Sequence, residues 1–162
     1  MSFPDYETPI GRQIHGFLSG ELTFPPQVRH LLFAANRWEK ALFIKKLQDE
    51  GQTIIVNRYT ESNLAYGVAN GLPLDWLIGL ETGLPRTNLV ILLDATPAAV
   101  ASRRPGKDAY EEDDKLQYQT RRIYKTLAAK FGWVVVQGSD NIGVVHDSIV
   151  NVVEKRLRRP TS

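Results

Sequence analysis

The sequence predicts an α/β fold built on a parallel β-sheet. Three short apolar runs, at residues 53–56, 89–93 and 133–136, are nearly continuous rather than alternating, which is typical of strands buried on both faces of a parallel sheet. Segments with helical periodicity lie between these runs, and strands that alternate with helices indicate crossover connections. In such a sheet, ligands bind beyond the carboxyl ends of the strands.

Helix start and stop signals predict the remaining elements in chain order. Thr8 can cap a helix that has a proline at its first position and that stops at Gly20. Pro25 and Pro26 open a longer helix, whose apolar residues recur at three- and four-residue spacing until Gly51 ends it. The same patterns predict further helices at 62–70, 74–82, 97–103, 113–130 and 142–158.

Composition indicates one soluble domain spanning residues 1–162. The chain is 43% hydrophobic and 23% charged, which is typical of one globular core. A net charge of only +2 argues against nucleic acid as a partner. The absence of cysteine excludes disulfides, thiolate metal sites and thiol nucleophiles. Because the apolar runs are too short for a membrane span and no signal peptide is recognisable, we expect a cytoplasmic location.

Polar residues follow each of the three apolar runs. Arg58 comes shortly after the first run, Asp94 follows the second, and the third leads into Gly138 and Asp140. An arginine at a strand end presents a planar fork that can hold a phosphate through two hydrogen bonds. From position alone, a surface ion pair without a chemical role explains Arg58 equally well.

Phe33 and Arg37 form a second candidate site within the predicted long helix. They are four residues apart, so their side chains project from one face, one turn above the other. An aromatic ring beside a guanidinium group can stack on a base and hydrogen-bond its edge. Because aromatic residues on helices more often belong to the core, a core position for Phe33 is the alternative.

A basic segment around a Pro-Gly break is the third candidate. It contains Arg103, Arg104 and Lys107 and leads into an acidic helix start. Three cations in a turn-forming segment are typical of a mobile flap that covers a polyphosphate. An ordinary charged loop is the alternative, and the segment by itself does not distinguish the two.

Five stretches, taken in order, resemble the thymidylate kinases, a family of P-loop nucleoside monophosphate kinases that transfer the terminal phosphoryl group of ATP to dTMP. The stretches are FPDYETPIG, HLLFAANRWE, NRYTESNLAY, LDWLIGLETGLPRTNLVILLDATP and DAYEEDDKLQYQTRRIY. The resemblance extends from Phe3 to about Ile149. It implies a three-layer α/β/α arrangement around a parallel sheet, formation of dTDP, ATP and Mg²⁺ as cofactors, and a homodimer that pairs through helices within residues 26–50.

The resemblance also implies roles for the residues of a dTMP site. Phe33 would stack on the thymine ring, Arg37 would hydrogen-bond its edge, and Arg58 would hold phosphate where acceptor and donor meet. Asn63 would read the pyrimidine face, while Tyr66 would lie close to the sugar and disfavour a 2′-hydroxyl. The other residues implied in dTMP binding are Phe3 and Pro4, near the monophosphate, and Tyr110 and Gln117, in a segment that closes on the nucleotides.

For the phosphoryl donor, the resemblance implies a lid over ATP at about residues 103–114. Arg103 and Arg104 in this lid, together with Arg58, would be the catalytic residues that stabilise the transferred phosphoryl group. No residue is implied as a metal ligand. The implied ATP site consists of Arg103, Arg104, Lys107, Gly138 and Asp140.

The sequence departs from the family pattern at the phosphate-binding loop. It contains no G-x-x-x-x-G-K-[ST] motif, and its one Gly-Lys pair, Gly106-Lys107, follows a proline and precedes an aspartate. We therefore expect a truncated chain that lacks the first strand and the P-loop helix and is impaired in phosphoryl transfer. Asn57 also stands where the family carries an aspartate. A non-catalytic relative that binds a nucleotide or a partner protein is the alternative.

Overall fold

The computed structural model describes residues 1–96, Ala99 and residues 114–158. Within these residues the chain forms seven helices and two strands. The helices are α1 (Pro9–Leu18), α2 (Pro26–Trp38), α3 (Ala41–Asp49), α4 (Thr60–Ala69), α5 (Leu74–Glu81), α6 (Asp114–Phe131) and α7 (Ile142–Leu157). The strands are β1 (Ile91–Asp94) and β2 (Val134–Gln137). Apart from Ala99, the predicted helix at 97–103 lies outside the described residues.

The two strands form a parallel sheet, in which Ile91 pairs with Val134 and Asp94 pairs with Gln137. Because parallel neighbours cannot be joined by a tight turn, the chain between them contains a helix, α6, as the alternation of apolar and helical segments predicts. The strand predictions at the second and third apolar runs are confirmed to within two residues.

The prediction that all three runs are strands buried on both faces is wrong. No strand forms at residues 53–56, where Ile55 is 82% exposed, and nearby the chain makes one isolated parallel bridge, between Ser2 and Asn57. The two strands that do form are not buried on both faces either, since Leu93 and Val135, which point to opposite faces, are each about half exposed. An apolar, β-branched run favours extended backbone, but it forms a strand only where a neighbour pairs with it.

The first residues of the chain run alongside residues 55–57. The terminal amine of Met1 donates to the carbonyl of Ile55 at 2.8 Å. The amide of Asn57 donates to the carbonyl of Met1 at 3.0 Å, and the amide of Phe3 donates to the carbonyl of Asn57 at 2.9 Å. Because these bonds satisfy main-chain groups on both segments, they fix the N-terminal segment beside the loop that precedes α4.

The long helix predicted to end at Gly51 is in fact two helices, α2 and α3, which meet at Glu39 and Lys40. The prediction of one long helix is wrong, because the break contains neither glycine nor proline and so gives no local signal in the sequence. Contacts with the N-terminal part of the chain involve both residues: Glu39 Oε1 accepts from the amide of Ile10 at 3.3 Å, and Lys40 Nζ lies 3.0 Å from Asp5 Oδ2.

Side-chain caps explain where two helices begin. Thr8 Oγ1 accepts a hydrogen bond from the amide of Gly11 at 3.0 Å, as predicted for α1. Asn141 Oδ1 accepts from the amide of Val144 at 3.0 Å at the start of α7. Each cap satisfies an amide that has no partner within its helix. Among the described helices, none combines the length and hydropathy that a membrane crossing would need.

Two clusters of buried apolar side chains form the core. One joins the N-terminal segment to α3, and the other lies between α4, α5 and α6. The first cluster contains Phe3, Ala41, Ile44, Tyr59 and Leu84. The second contains Leu64, Ala65, Leu72, Leu77 and Leu127. Together they hold the N-terminal segment and α4 beside the cavity described next.

Candidate functional site

A small cavity lies between the N-terminal segment, α2 and the start of α4. Its volume is about 40 Å³. The residues that line it are Phe3, Pro4, His30, Phe33, Arg37, Arg58, Ser62, Asn63 and Tyr66. The structure thus brings together all the residues implied in dTMP binding except Gln117, which does not line this cavity, and Tyr110, which lies outside the described residues.

Arg58 occupies the exposed side of the cavity and has an unusual backbone. Its φ angle is +58°, and it is the one residue other than glycine with a positive φ in the described part of the chain. Its guanidinium carbon lies 5.7 Å from the ring centre of Tyr66, a cation–π distance. The Tyr66 ring in turn meets the Tyr124 ring edge to face at 6.2 Å. A backbone held in this sparsely populated region is common at functional sites.

Arg37 is almost completely buried, and a carboxylate holds its guanidinium group. Its side chain is 3% exposed, and that of Glu81 is 7% exposed. Arg37 Nε donates to Glu81 Oε2 at 3.0 Å, and Arg37 Nη2 donates to the other oxygen, Oε1. Two parallel bonds of this kind fix the plane of the guanidinium group and compensate its charge.

Asn63 and His30 extend this network away from Arg37. Asn63 Nδ2 donates to Glu81 Oε1 at 2.6 Å and to the carbonyl of His30 at 3.2 Å. Asn63 Oδ1 lies 2.7 Å from His30 Nδ1, and Asn70 Nδ2 lies 3.3 Å from His30 Nε2. These partners fit one tautomer, in which Nδ1 carries the hydrogen and Nε2 accepts.

His30 is uncharged at neutral pH. It is completely buried, and this burial lowers the pKa of its imidazole from 6.5 to about 4, although the hydrogen bond with Asn63 opposes the shift. The positive charges of Arg29 and Arg37 lower the pKa further. The buried end of the cavity therefore contains a neutral histidine and a compensated arginine, whereas Arg58 makes the exposed end cationic.

Two aromatic rings lie on different sides of the cavity. Phe33 is half-buried on α2, and its ring centre is 5.9 Å from that of His30. Phe3 is 3% exposed and packs against Tyr59, with ring centres 5.8 Å apart. Phe33 is therefore not fully buried in the core, while Phe3 contributes chiefly to the core and positions the chain at Pro4.

The loop after Pro4 is fastened to α2 by Asn36, which is 1% exposed. Its Oδ1 accepts from the amide of Asp5 at 2.8 Å. Its Nδ2 contacts Thr8 Oγ1 at 2.8 Å, the carbonyl of Asp5 at 3.1 Å and Glu39 Oε2 at 3.0 Å. A hydrogen bond from Lys40 also lowers the pKa of the Asp5 carboxyl group. One buried amide thus sets the position of the loop at the mouth of the cavity.

The carboxyl ends of β1 and β2 form a separate polar region. Asp94 is buried, and it accepts hydrogen bonds from Arg121 Nε and, at 3.1 Å, from Arg121 Nη2. Lys125 Nζ lies 3.4 Å away. The hydrogen bond from Arg121 lowers the pKa of the Asp94 carboxyl group. The amide of Gly138 donates to the carbonyl of Asp94 at 2.9 Å, so the two strand ends are joined.

The residues implied in ATP binding are only partly described. Gly138 is buried and Asp140 is exposed, and both follow β2. Gln117 is half-buried on α6. Four residues of the implied lid and its neighbourhood lie outside the described residues: Arg103, Arg104, Lys107 and Tyr110.

The described residues do not offer a metal site of their own. They contain no group of three or more His, Cys, Asp or Glu side chains that could hold a metal ion. Asp94 stands at a strand end, but Arg121 and Lys125 engage its carboxylate. Mg²⁺ is often held by one or two carboxylates and by substrate phosphates, so these side chains do not define its position.

Sequence reasoning missed His30 and Glu81. A signal for Glu81 exists, because an acidic residue in the last turn of a helix opposes the helix dipole and therefore indicates a tertiary partner. His30 carries no comparable signal, since a single histidine on an amphipathic helix is compatible with either burial or exposure. Both residues lie within the stretches that carry the family resemblance.

Comparisons with known proteins agree on one family. A family model described as thymidylate kinase matches residues 1–149. The chain is 34% identical to thymidylate kinases from Arabidopsis thaliana and Schizosaccharomyces pombe over 159 residues, which cover 98% and 94% of this chain and 60% and 75% of those proteins. It therefore spans less than two thirds of the length of the Arabidopsis relative.

The fold leads to the same family. A structure of thymidylate kinase from Candida albicans superposes with a TM-score of 0.87 at 29% sequence identity, covering 96% of this chain and 79% of that one. The arrangement of helices around a parallel sheet is thus that of a nucleoside monophosphate kinase. The chain belongs to the thymidylate kinase family.

Proposed function

We propose that this chain acts in phosphoryl transfer from ATP to dTMP, giving dTDP. The observation that carries the proposal is that Phe33, Arg37 and Arg58 line the same cavity. Family membership supports the choice of substrates. Phosphoryl transfer demands positioning and charge stabilisation more than covalent chemistry from the protein, and these side chains supply both on the acceptor side.

The polarity of the cavity supports one orientation of dTMP. The uncharged pyrimidine faces the buried end, where Arg37 is paired with Glu81 and His30 is neutral. The phosphate faces the exposed end, where Arg58 lies just ahead of the first turn of α4. A helix N-terminus adds favourable amide dipoles for an anion. Because a cavity of about 40 Å³ is far smaller than a nucleotide needs, only the edge of the pyrimidine enters it, and the sugar and phosphate lie at its open mouth.

Each side chain of the acceptor site then has one task. Phe33 provides a plane for the pyrimidine ring, and Arg37 donates a hydrogen bond to its edge. Tyr66 lies beside the sugar and leaves no room for a 2′-hydroxyl. Arg58 holds the acceptor phosphate, and Phe3 and Pro4 support the loop next to it. The role of Asn63 at the pyrimidine face differs from the one that the resemblance implies: it acts through Glu81 and Arg37, because both hydrogens of its amide are already donated within the protein.

For the donor, ATP with Mg²⁺ is the proposed phosphoryl source. Gly138 and Asp140 border the adenine at the end of β2. Arg103, Arg104 and Lys107 belong to the lid over its phosphates, where the two arginines act with Arg58 on the transferred group. The last residues proposed to close on the nucleotides are Tyr110 and Gln117. Bound Mg²⁺ would neutralise charge on the donor phosphates.

Calorimetric titration with dTMP and UMP tests the acceptor site. We expect dTMP to bind more tightly than UMP, and Phe33→Ala to weaken dTMP binding by about tenfold or more, since base–aromatic stacking contributes ~1–3 kcal/mol. Phe131→Ala is the matched control, because Phe131 is 42% exposed and does not line the cavity. A folded protein without any preference for dTMP over UMP would contradict the proposal.

We also propose that the chain forms a homodimer through α2 and α3. Exposed apolar side chains on these helices support this choice, since single scattered ones are normal but a group often marks an interface. Leu42 is 86% exposed and Phe43 is 51% exposed. Sedimentation equilibrium of the wild type and of Leu42→Glu tests it: a dimer that persists unchanged in the variant would contradict this interface.

A further inference from the structure

We propose that Glu81 is a positioning residue that sets base selectivity, because it fixes which nitrogen of the Arg37 guanidinium group reaches the substrate. This inference rests on the proposed function, since it assigns the edge of the pyrimidine to Arg37. Glu81 does not line the cavity, so it acts on the base only through Arg37.

The geometry leaves one nitrogen of the Arg37 guanidinium group, Nη1, with both of its hydrogens available to a ligand. Glu81 Oε2 accepts a hydrogen bond from Arg37 Nε at 3.0 Å, and Glu81 Oε1 accepts one from Arg37 Nη2. Within the described residues, Nη1 has no protein partner, whereas the other two nitrogens do. Because the guanidinium group is rigid and planar, the two bonds to Glu81 determine where Nη1 points.

A second set of contacts prevents Glu81 itself from moving. Asn63 donates to Oε1 at 2.6 Å and is held by His30, which in turn contacts Asn70 at 3.3 Å. These residues lie on or next to three different helices, α2, α4 and α5. A network whose members are all satisfied is rigid, so Nη1 occupies one position rather than several.

A fixed donor group selects among pyrimidines. Thymine and uracil present a carbonyl oxygen at position 4, which accepts a hydrogen bond, while cytosine presents an amino group there, which cannot. If Arg37 Nη1 is held in place and meets the amino group of cytosine, two donors face each other and neither finds a hydrogen-bond acceptor. Such a mismatch discriminates strongly against the wrong base. If Glu81 were removed, Arg37 could turn away, and dTMP would lose more affinity than dCMP.

Charge compensation of a buried arginine is the other explanation for Glu81, and Glu81→Asp separates the two. Aspartate keeps the negative charge but is shorter by one methylene group, so it cannot reach both Arg37 and Asn63 with the same geometry. A role in positioning predicts that Glu81→Asp lowers the preference for dTMP over dCMP. A role in charge compensation alone predicts an unchanged preference.

Calorimetric dissociation constants for dTMP and dCMP, measured on the full chain, provide the test. The variants are Glu81→Gln, Glu81→Asp, Arg37→Met and the double variant Arg37→Met/Glu81→Gln. The control is Glu154→Gln, because Glu154 also pairs with an arginine but on the exposed surface of α7. Thermal unfolding of each variant establishes that it is folded.

We expect Glu81→Gln and Glu81→Asp to weaken dTMP binding by about tenfold and dCMP binding much less. The double variant should bind dTMP within about twofold of Arg37→Met, since a residue that acts through another adds nothing once that residue is gone. A folded Glu81→Asp protein that prefers dTMP over dCMP as strongly as the wild type does would overturn the inference. A double variant that binds dTMP clearly more weakly than Arg37→Met would also overturn it.

Two outcomes keep the inference separate from the proposed function. If wild-type protein does not bind dTMP, the proposed function fails, whatever Glu81 does. If wild type binds dTMP selectively and the Glu81 variants do so too, only the inference fails. Should Glu81→Gln not fold, the double variant still decides, because it leaves no uncompensated charge and is compared with Arg37→Met alone.

Discussion

The guanidinium carbon of Arg58 lies 5.7 Å from the ring centre of Tyr66, and this contact joins the loop before α4 to the second turn of that helix. The loop reaches this position through a left-handed backbone at Arg58, with φ at +58°. A non-glycine residue in this region carries a conformational cost of ~1–3 kcal/mol. The surrounding contacts at Asn57 and Tyr59 must offset that cost, and the result is a cation at the mouth of the cavity.

Replacing Arg58 should therefore separate binding from stability. Arg58→Gly removes the guanidinium group but suits a positive φ, so we expect dTMP affinity to fall by at least about tenfold while the free energy of unfolding is unchanged within ~1 kcal/mol. Titration calorimetry and urea denaturation measure the two effects. Arg58→Lys should also weaken dTMP binding, because an ammonium group lacks the planar fork.

Thymidine, which has no phosphate, is the control ligand for Arg58. If Arg58 contacts the phosphate, its variants should bind thymidine as the wild type does. Equal losses for dTMP and thymidine in Arg58→Gly would instead mean that Arg58 orders the whole cavity and has no specific role towards the phosphate.

Asn36 is the buried residue whose loss should loosen the loop after Pro4. Asn36→Ala would leave the amide of Asp5 without its partner at 2.8 Å, and an unsatisfied buried group costs ~1–3 kcal/mol. We expect a decrease of that size in the free energy of unfolding, measured in urea. Asn151→Ala, at an exposed position on α7, should change it by less than ~0.5 kcal/mol. Equal effects at both positions would contradict this account of the loop.

Gly11 tests how closely α1 packs against that same loop, and Gly79, on α5, is the comparison position. A methyl group at Gly11 would lie 1.8 Å from the carbonyl oxygen of Asp5, whereas one at Gly79 would meet nothing within 4 Å. We expect Gly11→Ala to destabilise the protein by at least ~1–3 kcal/mol through overpacking. Gly79→Ala should stabilise it by ~0.5–1 kcal/mol, because alanine favours a helix interior. Thermal unfolding of both variants checks the difference in sign.

Local signals in the sequence predict the parts of the fold that depend on local chemistry. Thr8 ahead of a proline predicts the start of α1, and the apolar runs near β1 and β2 predict two paired strands. The break between α2 and α3 has no such signal, because Glu39 and Lys40 are held by residues distant in the chain. The strand prediction at residues 53–56 is wrong for a related reason, since a strand needs a neighbouring strand to pair with, and no local pattern supplies one.

The candidate site follows the same division. Helix spacing, position after an apolar run and the family resemblance predict Phe33, Arg37 and Arg58 as site residues. The pairing of Arg37 with Glu81 is not predicted in this way, because Glu81 is distant from Arg37 in the chain and meets it only after α2 and α5 pack together. Spacing along a helix predicts which side chains share a face, but it does not predict which residue of another helix will pair with them.

The neutral, buried His30 should make stability depend on pH. Its pKa is lowered by burial from 6.5 to about 4, so between these values the unfolded chain binds a proton that the folded protein does not. Stability therefore falls as the pH decreases through this window. We expect the free energy of unfolding to drop by ~2 kcal/mol between pH 7 and pH 4.5. Urea denaturation at several pH values measures this slope.

His30→Gln should remove most of that pH dependence, because glutamine has no proton to gain in this range. His146→Gln is the control, since His146 is 73% exposed, and it should keep the wild-type slope. The carboxyl groups of Asp5 and Asp94 do not interfere, because their pKa values are lowered below 3.8 and their contributions are lost only at lower pH. A slope that survives in His30→Gln would show that another group titrates in this window and that His30 is not the cause.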